Sequence, residues 1–233
     1  MQATAQIPLF TSSAPARRPA RTTDIHAVSI PARTFTGDFY FTHRRGDRLW
    51  FAVGDVAGKG LPAAIVMAMI QEELEHRIAS CASTGCDPST TISRLHSFLR
   101  PLLPRNRFAT LVIGWLRDDG TLMISNAGHC PPLIVRANGE IEEIGSTGPV
   151  AGILADAQWK SKPLRLRNGD ALVLYSDGVI EARANEGEEL GVRGLRGLLK
   201  RVSTSARVIA TRIVDAIRAH ADDDVTVVVL RHA

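Results

Sequence analysis

The sequence predicts an α+β fold in which helices cover mainly antiparallel sheets, and three observations support this class. Short runs rich in β-branched and aromatic residues are joined by turn dipeptides, as in hairpin-connected strands. In other segments the apolar residues recur every three or four positions, as in amphipathic helices. These helical segments come in pairs between groups of strands, which does not fit the regular strand–helix–strand crossovers of a parallel sheet.

The composition is that of an ordinary soluble globular chain. Of 233 residues, 45% are hydrophobic and 22% are charged. A chain of this length buries about 70% of the surface that it would expose when unfolded, so it needs no disulfides for stability. The longest apolar run, residues 61–70, is too short to cross a membrane. Disorder throughout and a transmembrane span are therefore excluded.

The N-terminal half is predicted to contain a leader, three strands and two helices. Residues 1–24 are basic and rich in Pro, Ser, Thr and Ala, which predicts a flexible leader before a single domain at 25–233. Strands are predicted at 26–30, 37–42 and 48–53, and helices at 61–80 and 88–103. Pro62 and Pro88 suit the first turn of a helix, and Asp87 suits the N-cap of the second.

The periodicity of these two helices also predicts which face of each meets the core. The predicted core faces are Leu61, Ile65, Ala68 and Met69 in the first helix, and Ile92, Leu95, Leu99 and Leu102 in the second.

The C-terminal half returns to strands before two further helices and a last strand. Strands are predicted at 108–116, 121–125, 133–136, 141–144, 163–167, 171–176 and 225–230. The tight-hairpin dipeptides Asp119-Gly120 and Asn138-Gly139 each join two of these strands, and Asn168-Gly169 separates another pair. The helices are predicted at 192–200 and 205–221. Ile209, Ile213, Ala216 and Ile217 form the expected core face of the second.

Charge and cysteine content limit the expected partners and compartment. The net charge is +4, from 28 Lys and Arg against 24 Asp and Glu. Half of this excess positive charge lies in the leader, so the domain itself is not expected to bind nucleic acid. Contact of the leader with nucleic acid or a membrane surface is a weaker alternative. Cys81, Cys86 and Cys130 are too few and too irregularly spaced for a zinc site or a secreted framework. They are expected to be small buried apolar residues in a cytoplasmic protein.

Acidic residues stand at the ends of several predicted strands. Asp38, Asp55 and Asp177 each lie beside a glycine, and residues 222–224 are three consecutive aspartates before the last strand. A single Asp-Gly pair is most simply a turn. Several converging carboxylates would repel one another, however, and such a cluster is tolerated mainly when divalent cations occupy it. Oxygen ligands favour Mg²⁺ or Mn²⁺ over zinc.

The motifs around these aspartates carry a family resemblance. GDFY, GDVAGKG, NAGHCPP, YSDGVIEA and DDVTVVVL occur in this order between residues 37 and 230. In order and spacing they resemble the SpoIIE-type phosphatases of the PPM superfamily, which are metal-dependent Ser/Thr protein phosphatases. The resemblance spans roughly residues 25–231. It implies a four-layer αββα sandwich with a two-metal centre at one end.

The resemblance also implies the composition of that centre, with two Mn²⁺ or Mg²⁺ ions. The residues it assigns to the metals are Asp38, Asp55, Val56, Asp177, Asp223 and Asp224. Asp55 would bridge the two ions, with the carbonyl of Val56 as a further ligand, and Asp177 and Asp223 would hold one ion. Asp38 would lie near the cluster. The run of three aspartates leaves Asp224 open as an alternative to Asp223.

The implied mechanism is direct hydrolysis of a phosphoserine or phosphothreonine by a hydroxide that bridges the two metals. Asp55, Asp177 and Asp223 are the expected catalytic residues, and no Ser or Cys nucleophile is assigned. Gly58 and Lys59 are candidate substrate-binding residues, although solvation of Lys59 is the simpler interpretation.

Two positions depart from the pattern of the superfamily. Ala57 stands where type 2C relatives have a histidine that serves as an acid, and Phe41 stands where many SpoIIE-type domains have an acidic residue. These departures keep a second hypothesis open, a non-catalytic module with this fold that sequesters a signalling partner. The resemblance favours an enzyme whose substrate is a phosphorylated regulatory protein. A STAS-type anti-sigma-factor antagonist in a bacterial partner-switching pathway is the candidate, and a homodimer is possible.

Overall fold

Two five-stranded antiparallel sheets form the centre of the fold. The structure, a computed structural model, describes residues 23–32, 34–81, 86–104, 106–183, 188–200, 205–217 and 221–233. The strands are β1 (Thr23–Ile30), β2 (Phe39–Arg45), β3 (Arg48–Val56), β4 (Ala109–Arg117), β5 (Thr121–Ala127), β6 (Leu133–Val135), β7 (Ile141–Glu143), β8 (Lys162–Arg165), β9 (Ala171–Tyr175) and β10 (Val225–His232). The helices are α1 (Leu61–Ser80), α2 (Pro88–Leu99), α3 (Asp177–Glu181), α4 (Gly191–Leu199) and α5 (Ala206–Ile217).

The two sheets have different strand compositions. The β3 sheet has the order β2-β3-β4-β5-β8, and the β10 sheet has the order β1-β10-β9-β6-β7. The first and last strands of the chain are neighbours in the β10 sheet, with Thr23 opposite His232 and Ile30 opposite Val225.

Three apolar cores show that the sheets lie face to face between two helical layers. One core lies between the sheets and includes Phe51, Val53 and Leu230. A second joins the β3 sheet to α1 and α2, and a third joins the β10 sheet to α3, α4 and α5. This is the αββα sandwich of the PPM fold that the resemblance implied.

Strand β3 shows how the sequence supports two buried faces. Trp50 and Ala52 pack towards the helices, whereas Phe51 and Val53 pack towards the other sheet. Side chains alternate between the faces of a strand, so a strand covered on both sides is apolar at consecutive positions.

Most predicted elements are confirmed, and their ends differ by a few residues. Asp87 caps α2 by accepting a hydrogen bond from the backbone N–H of Ser89 at 2.9 Å. Helix α3 was not predicted. Strand β1 begins at Thr23, so the last two residues assigned to the leader belong to the domain, and residues 1–22 lie outside the described residues.

The two strands that Asn168-Gly169 separates do not pair with each other. Asp170 donates its N–H to the carbonyl of Arg167 at 2.9 Å, so the turn forms. Strand β8 before it pairs with β5, however, and β9 after it pairs with β10 and β6. The turn therefore passes from one sheet to the other instead of closing a hairpin.

The predicted core face of α1 is wrong. Leu61 and Ile65 are each 52% exposed, whereas the buried side of the helix consists of Ala63, Ile70, Leu74 and Ile78. The first ten residues of α1 are apolar on all sides, so a period of three to four residues fits either face. The predicted faces of α2 and α5 are correct apart from Leu102 and Ala216, which are exposed.

The cysteines differ in part from the expectation of three unpaired buried residues. Cys81 at the end of α1 and Cys86 before α2 form a disulfide, with their Cα atoms 6.0 Å apart. Cys130 is unpaired and half-buried. In the described part of the chain, no helix is long and apolar enough to span a bilayer.

Candidate active site

Four strand ends bring the sequence-predicted aspartates to one end of the sandwich. Asp38 immediately precedes β2, and Asp55 is near the end of β3. Because these two strands are antiparallel neighbours, with Phe39 opposite Gly54, the two acids lie at the same edge of the sheet. In the other sheet, Asp177 follows β9 and Asp223 precedes β10, with Tyr175 opposite Val227. Each antiparallel pair thus delivers two acids to the same edge.

These acids line one cavity of about 150 Å³. Its wall consists of Phe35, Gly37, Asp38, Asp55, Gly58, Lys59, Asp177, Asp223 and Asp224. The structure thus brings every side chain assigned to the metals to one place, together with the two candidate substrate-binding residues. Val56 was assigned through its backbone carbonyl, which lies beside Gly37.

Burial and mutual repulsion make the acids from the β3 sheet easy to protonate. Burial raises the pKa of Asp38 to about 7, and the charges of Asp55 and Asp177 act in the same direction. Burial likewise raises the pKa of Asp55 to about 6, reinforced by Asp177. The pKa of Asp177 is raised by its own burial. The cluster therefore favours positive charge, either protons or a cation.

Two hydroxyl residues that the sequence analysis did not single out oppose this effect at Asp38. Hydrogen bonding from the side chains of Ser176 and Thr226 lowers the pKa of Asp38, although less than burial raises it. Both residues are fully buried, and the N–H of Thr226 donates to Oγ of Ser176 at 2.9 Å. Each stands beside a predicted acid in the YSDG and DDVT motifs, which is the only signal the sequence offered.

Asp223 and Asp224 differ in what their side chains contact. Oδ1 of Asp224 accepts a hydrogen bond from the N–H of Ala32 at 2.7 Å, which ties this side chain to the segment after β1. Asp223 accepts from the N–H of Asp224 at 2.9 Å, and its other oxygen lies 3.8 Å from Nζ of Lys59. Asp223 thus faces the cation of the GDVAGKG loop, whereas Asp224 braces a neighbouring segment.

Arg107 holds the loop between β3 and α1, and sequence reasoning missed it. Its guanidinium donates to the carbonyl of Ala57 at 2.8 Å, and the N–H of Ala57 donates to the carbonyl of Phe108 at 2.9 Å. A side chain at Gly58 would collide with this guanidinium, and the φ of 119° at Gly58 also favours glycine. Arg107 is distant in sequence and belongs to no recognised motif.

The two departures from the superfamily pattern have clear places in the structure. Ala57 offers only its backbone to the contacts just described. Phe41 packs against the core between the β3 sheet and α1, and its ring stacks on that of His43 with centroids 6.2 Å apart. The position that is acidic in many SpoIIE-type domains therefore serves packing in this chain.

His129 of the NAGHCPP motif is a structural residue. Its backbone N–H donates to Oδ1 of Asn126 at 2.8 Å, and Nδ1 of its ring lies 2.9 Å from Oγ1 of Thr110. Burial lowers its pKa to about 4, so the ring is neutral near pH 7. It lies outside the residues that line the acidic cavity.

Three observations indicate that divalent cations fit the cavity. Every candidate donor is an oxygen, as Mg²⁺ and Mn²⁺ prefer. Oδ2 of Asp38 is buried and has no hydrogen-bond partner within the described residues. A Cβ atom at Gly37 would lie 2.6 Å from Oδ1 of Asp55 and 2.8 Å from the carbonyl oxygen of Val56, so glycine keeps the space beside both oxygens open.

The carboxylates surround the cavity without closing on one point. Among the residues that the structure describes, no three histidine, cysteine or acidic side chains converge closely enough to form a ready-made ion site. Binding of a cation therefore requires small movements of these side chains towards it.

Comparison with known proteins places this geometry in a family. The model of the family described as Stage II sporulation protein E (SpoIIE) matches residues 45–233. The chain is 31% identical over 215 residues to the phosphoserine phosphatase RsbU of Bacillus subtilis, covering 89% of this chain and 63% of RsbU. It is 29% identical to protein IcfG of a Synechocystis species, with 88% of this chain and 37% of IcfG covered. The chain thus spans less than two thirds of the length of these relatives.

Solved structures agree with this placement. The RsbU and RsbW domains of Rv1364c from Mycobacterium tuberculosis superpose with a TM-score of 0.76 at 27% identity, over 90% of this chain and 61% of that one. RsbX in complex with magnesium shares the fold, with a TM-score of 0.69 at 18% identity over 91% and 94% of the two chains. Because the family model covers most of the chain and its motif aspartates meet at one cavity, the chain belongs to the SpoIIE family and carries a SpoIIE-type PPM phosphatase domain.

Proposed function

We propose that this domain is a metal-dependent phosphatase that hydrolyses phosphoserine or phosphothreonine on a regulatory protein. The observation that carries the proposal is the convergence of Asp38, Asp55, Asp177 and Asp223 on one cavity from four different strand ends. Such a cluster costs stability unless positive charge compensates it. A site of this kind is retained for the chemistry that the compensating ions provide.

Asp55, the carbonyl of Val56, Asp177 and Asp223 would hold two Mn²⁺ or Mg²⁺ ions, with Asp38 beside them. Such ions, when bound, activate water for attack on phosphorus and stabilise the charge of the transition state. The protein's part is to fix its oxygens on rigid elements: Asp55 is within β3, and Asp177 begins α3 directly after β9. The magnesium in the RsbX complex supports this choice of ion class.

Asp223 is proposed as the ligand in preference to Asp224. One oxygen of each side chain accepts a backbone N–H, but Oδ2 of Asp223 also faces Nζ of Lys59, the residue proposed to receive the phosphate. Since the side chain of Lys59 is 67% exposed, a divalent cation displaces it from Asp223 at little cost.

Gly58 and Lys59 are proposed to receive the phosphate. The backbone at Gly58 is held by Arg107 through the carbonyl of Ala57, and Lys59 presents its ammonium at the edge of the cavity. A positive charge at this edge attracts the dianionic phosphate of the substrate and orients it towards the cavity.

The proposed reaction proceeds without a phosphoenzyme. Cys130 is the nearest thiol to the acids, and burial raises its pKa to about 12, reinforced by Asp177 and Asp38. A thiol with such a pKa is protonated near pH 7 and is a poor nucleophile. No side-chain nucleophile is therefore assigned, and water is the attacking group.

The proposed substrate is a phosphorylated STAS-type anti-sigma-factor antagonist, so that the protein would act in a partner-switching pathway in the cytoplasm. The similarity to RsbU, a phosphoserine phosphatase, supports the phosphoserine part of this proposal. The STAS partner rests on the family resemblance. A homodimer stays a prediction.

The test is phosphate release from p-nitrophenyl phosphate and from a phosphoserine protein, each with Mn²⁺, Mg²⁺ or EDTA. Asp55→Asn and Asp177→Asn should lower turnover at least about a hundredfold, because each removes a charged ligand. Asp222→Asn is the matched control, since it changes an exposed acid beside Asp223 and should leave turnover unchanged. Asp223→Asn should resemble Asp55→Asn, and Asp224→Asn should have the smaller effect.

Metal-independent turnover, or turnover that survives Asp55→Asn, would contradict the proposal. Mn²⁺ binding without turnover on either substrate would instead favour the non-catalytic module. Ala57 is consistent with that module, because it leaves the loop between β3 and α1 without a side-chain acid. Isothermal titration with Mn²⁺ separates these outcomes from a failure to bind metal.

A further inference from the structure

The start of α1 carries a second apolar face that the fold does not use. Residues 61–70 are apolar throughout, which is typical of a helix buried on all sides. Ala63 and Ile70 on the inner face are fully buried, yet Leu61 and Ile65 on the outer face are each 52% exposed. The helix therefore packs on the β3 sheet without these two side chains.

This exposed face lies at the edge of the acidic cavity. Gly58 and Lys59 line the cavity, and α1 begins at Leu61, directly after its N-cap Gly60. Further along the helix, the side chain of Gln71 donates to the carbonyl of Tyr40, level with the start of β2. The ten residues before Gln71 span about 15 Å. The first turns of α1 therefore lie towards the strand ends at which the cavity opens.

Phe35 adds a further exposed apolar side chain at the cavity wall. It lines the cavity and is nevertheless 44% exposed. We call Phe35, Leu61 and Ile65 the apolar rim. Lys59 lines the cavity, two residues before Leu61, and its ammonium is exposed.

The size of the cavity indicates what the rim is for. A volume of about 150 Å³ is well below the roughly 300–1,000 Å³ of pockets that enclose a whole small-molecule ligand. A phosphorylated side chain is of a size to enter it, whereas the rest of a protein substrate stays outside. The residues on either side of that side chain must then lie against the rim, where apolar partners gain most from burial.

We propose that the apolar rim is a docking surface for apolar residues that flank the phosphoserine of a partner protein. The inference rests on the proposed phosphatase function of the cavity. Lys59 attracts the phosphate, and Phe35, Leu61 and Ile65 select the sequence around it. Choice of substrate is thus made outside the cavity, by surface that the fold leaves uncovered.

The test compares two phosphoserine peptides of equal length and charge. One has Leu, Ile and Val on both sides of the phosphoserine, and the other has Ser, Thr and Gln at the same positions. The enzymes are the wild type, the double variant Leu61→Gln/Ile65→Gln and the control Val208→Gln. Val208 is an apolar residue on α5 that is 48% exposed. Glutamine keeps helix propensity in all three substitutions.

Two readouts are used, kcat/KM for each peptide and binding of each peptide by fluorescence anisotropy with Mn²⁺ present. The wild type and Val208→Gln should prefer the apolar peptide about tenfold, and the double variant should lose about tenfold in that preference. Turnover of p-nitrophenyl phosphate, which has no flanking residues to contact Leu61 and Ile65, should stay within about twofold in all three proteins.

Equal treatment of the two peptides by the wild type, in binding as well as turnover, would overturn the proposal. So would a double variant that keeps the preference. If that variant keeps the preference but turns a dimer into a monomer in size-exclusion chromatography with light scattering, a second copy covers the rim instead. A wild type that binds the apolar peptide preferentially but hydrolyses nothing would refute the phosphatase function and leave the docking surface supported.

Discussion

The two halves of the sandwich supply the same cavity with acids in different surroundings. Asp38, from the β3 sheet, is buried and Asp55 is half-buried, and burial raises their pKa values to about 7 and about 6. Asp223 and Asp224, from the β10 sheet, are half-buried and accept backbone N–H groups. Asp177, also from the β10 half, resembles the β3 acids because burial raises its pKa. Three of the acids therefore favour a proton or a cation, whereas Asp223 and Asp224 are tied to neighbouring backbone.

The helical layers differ in the same direction. Helix α5 presents one apolar face, and Ile209, Ile213 and Ile217 on it are almost completely buried against the β10 sheet. Helix α1 presents two apolar faces and buries only one. Helix α1 of the β3 half therefore leaves apolar surface uncovered, whereas the acids of the cavity come from both halves.

The largest expected effect tests whether the inner faces of the two layers are equivalent. Ile70 in α1 and Ile213 in α5 are both fully buried. Ile70→Ala and Ile213→Ala should each lower the free energy of unfolding by about 2–5 kcal/mol, because each leaves a cavity. Urea denaturation measures this. Ile65→Ala, the same change on the exposed face of α1, should cost less than about 1 kcal/mol. A comparable loss at Ile65 would show that the outer face of α1 is covered within the protein.

The next effect tests the difference between the acids. With its pKa of about 7 in the folded state against 3.8 ordinarily, Asp38 binds a proton more tightly when folded. In EDTA the wild type should therefore lose stability as the pH rises from about 4 to about 7. Asp38→Asn should remove much of that loss, leaving the part due to Asp55 and Asp177, and should be about 2–4 kcal/mol more stable near pH 8.

Asp223→Asn is the matched change in the other half. It should shift stability in EDTA by less than about 1 kcal/mol, because Asp223 is partly exposed and has Lys59 nearby. An equal gain from both variants at about pH 8 would remove the contrast between the halves. Guanidinium titrations at a series of pH values decide this.

A third effect concerns the disulfide, which belongs to the β3 half. Cys81 and Cys86 are five residues apart, and closing so short a loop contributes about 2 kcal/mol in the chain-entropy description. Reduction with dithiothreitol should lower the free energy of unfolding by about that amount. Thiol titration of the unfolded, unreduced protein should find one reactive group per chain, Cys130. Three reactive groups would show that the pair is reduced.

The smallest effect tests the outer face of α1. Leu61→Gln/Ile65→Gln should change the free energy of unfolding by no more than about 0.5 kcal/mol, as should Val208→Gln on α5. Thermal unfolding with matched circular dichroism spectra checks both. A clear stabilisation of the double variant would still fit a surface kept apolar for binding, whereas a large loss would not.

The sequence predicts the strand ends well because the signal is local. An acid beside a glycine at one end of a predicted strand marks Asp38, Asp55 and Asp177, and each lies at the cavity. That these ends meet could not be derived from spacing. It depends on which sheet each strand joins, and only the family resemblance supplied that.

The failures have physical reasons of the same kind. The Asn168-Gly169 turn fixes a reversal of the chain but carries no information about strand partners, so the sequence did not show that β8 and β9 join different sheets. The apolar residues of α1 satisfy helical periodicity on two faces, so the pattern could not choose between them. Arg107 reaches Ala57 across 50 residues of sequence, which no local pattern encodes.

The position of β10 decides when the acidic cavity can form during synthesis of the chain. This strand lies between β1 and β9 and is preceded by Asp223, so it completes both the sheet and the acidic cavity. Chains grow by about 5–20 residues per second during synthesis, and pairing of distant strands is intrinsically slow. The two strands beside β10 must wait, with unpaired edges, until it has left the ribosome. A nascent chain therefore cannot complete the acidic cavity early, and this interval is when aggregation or capture by a chaperone is most expected.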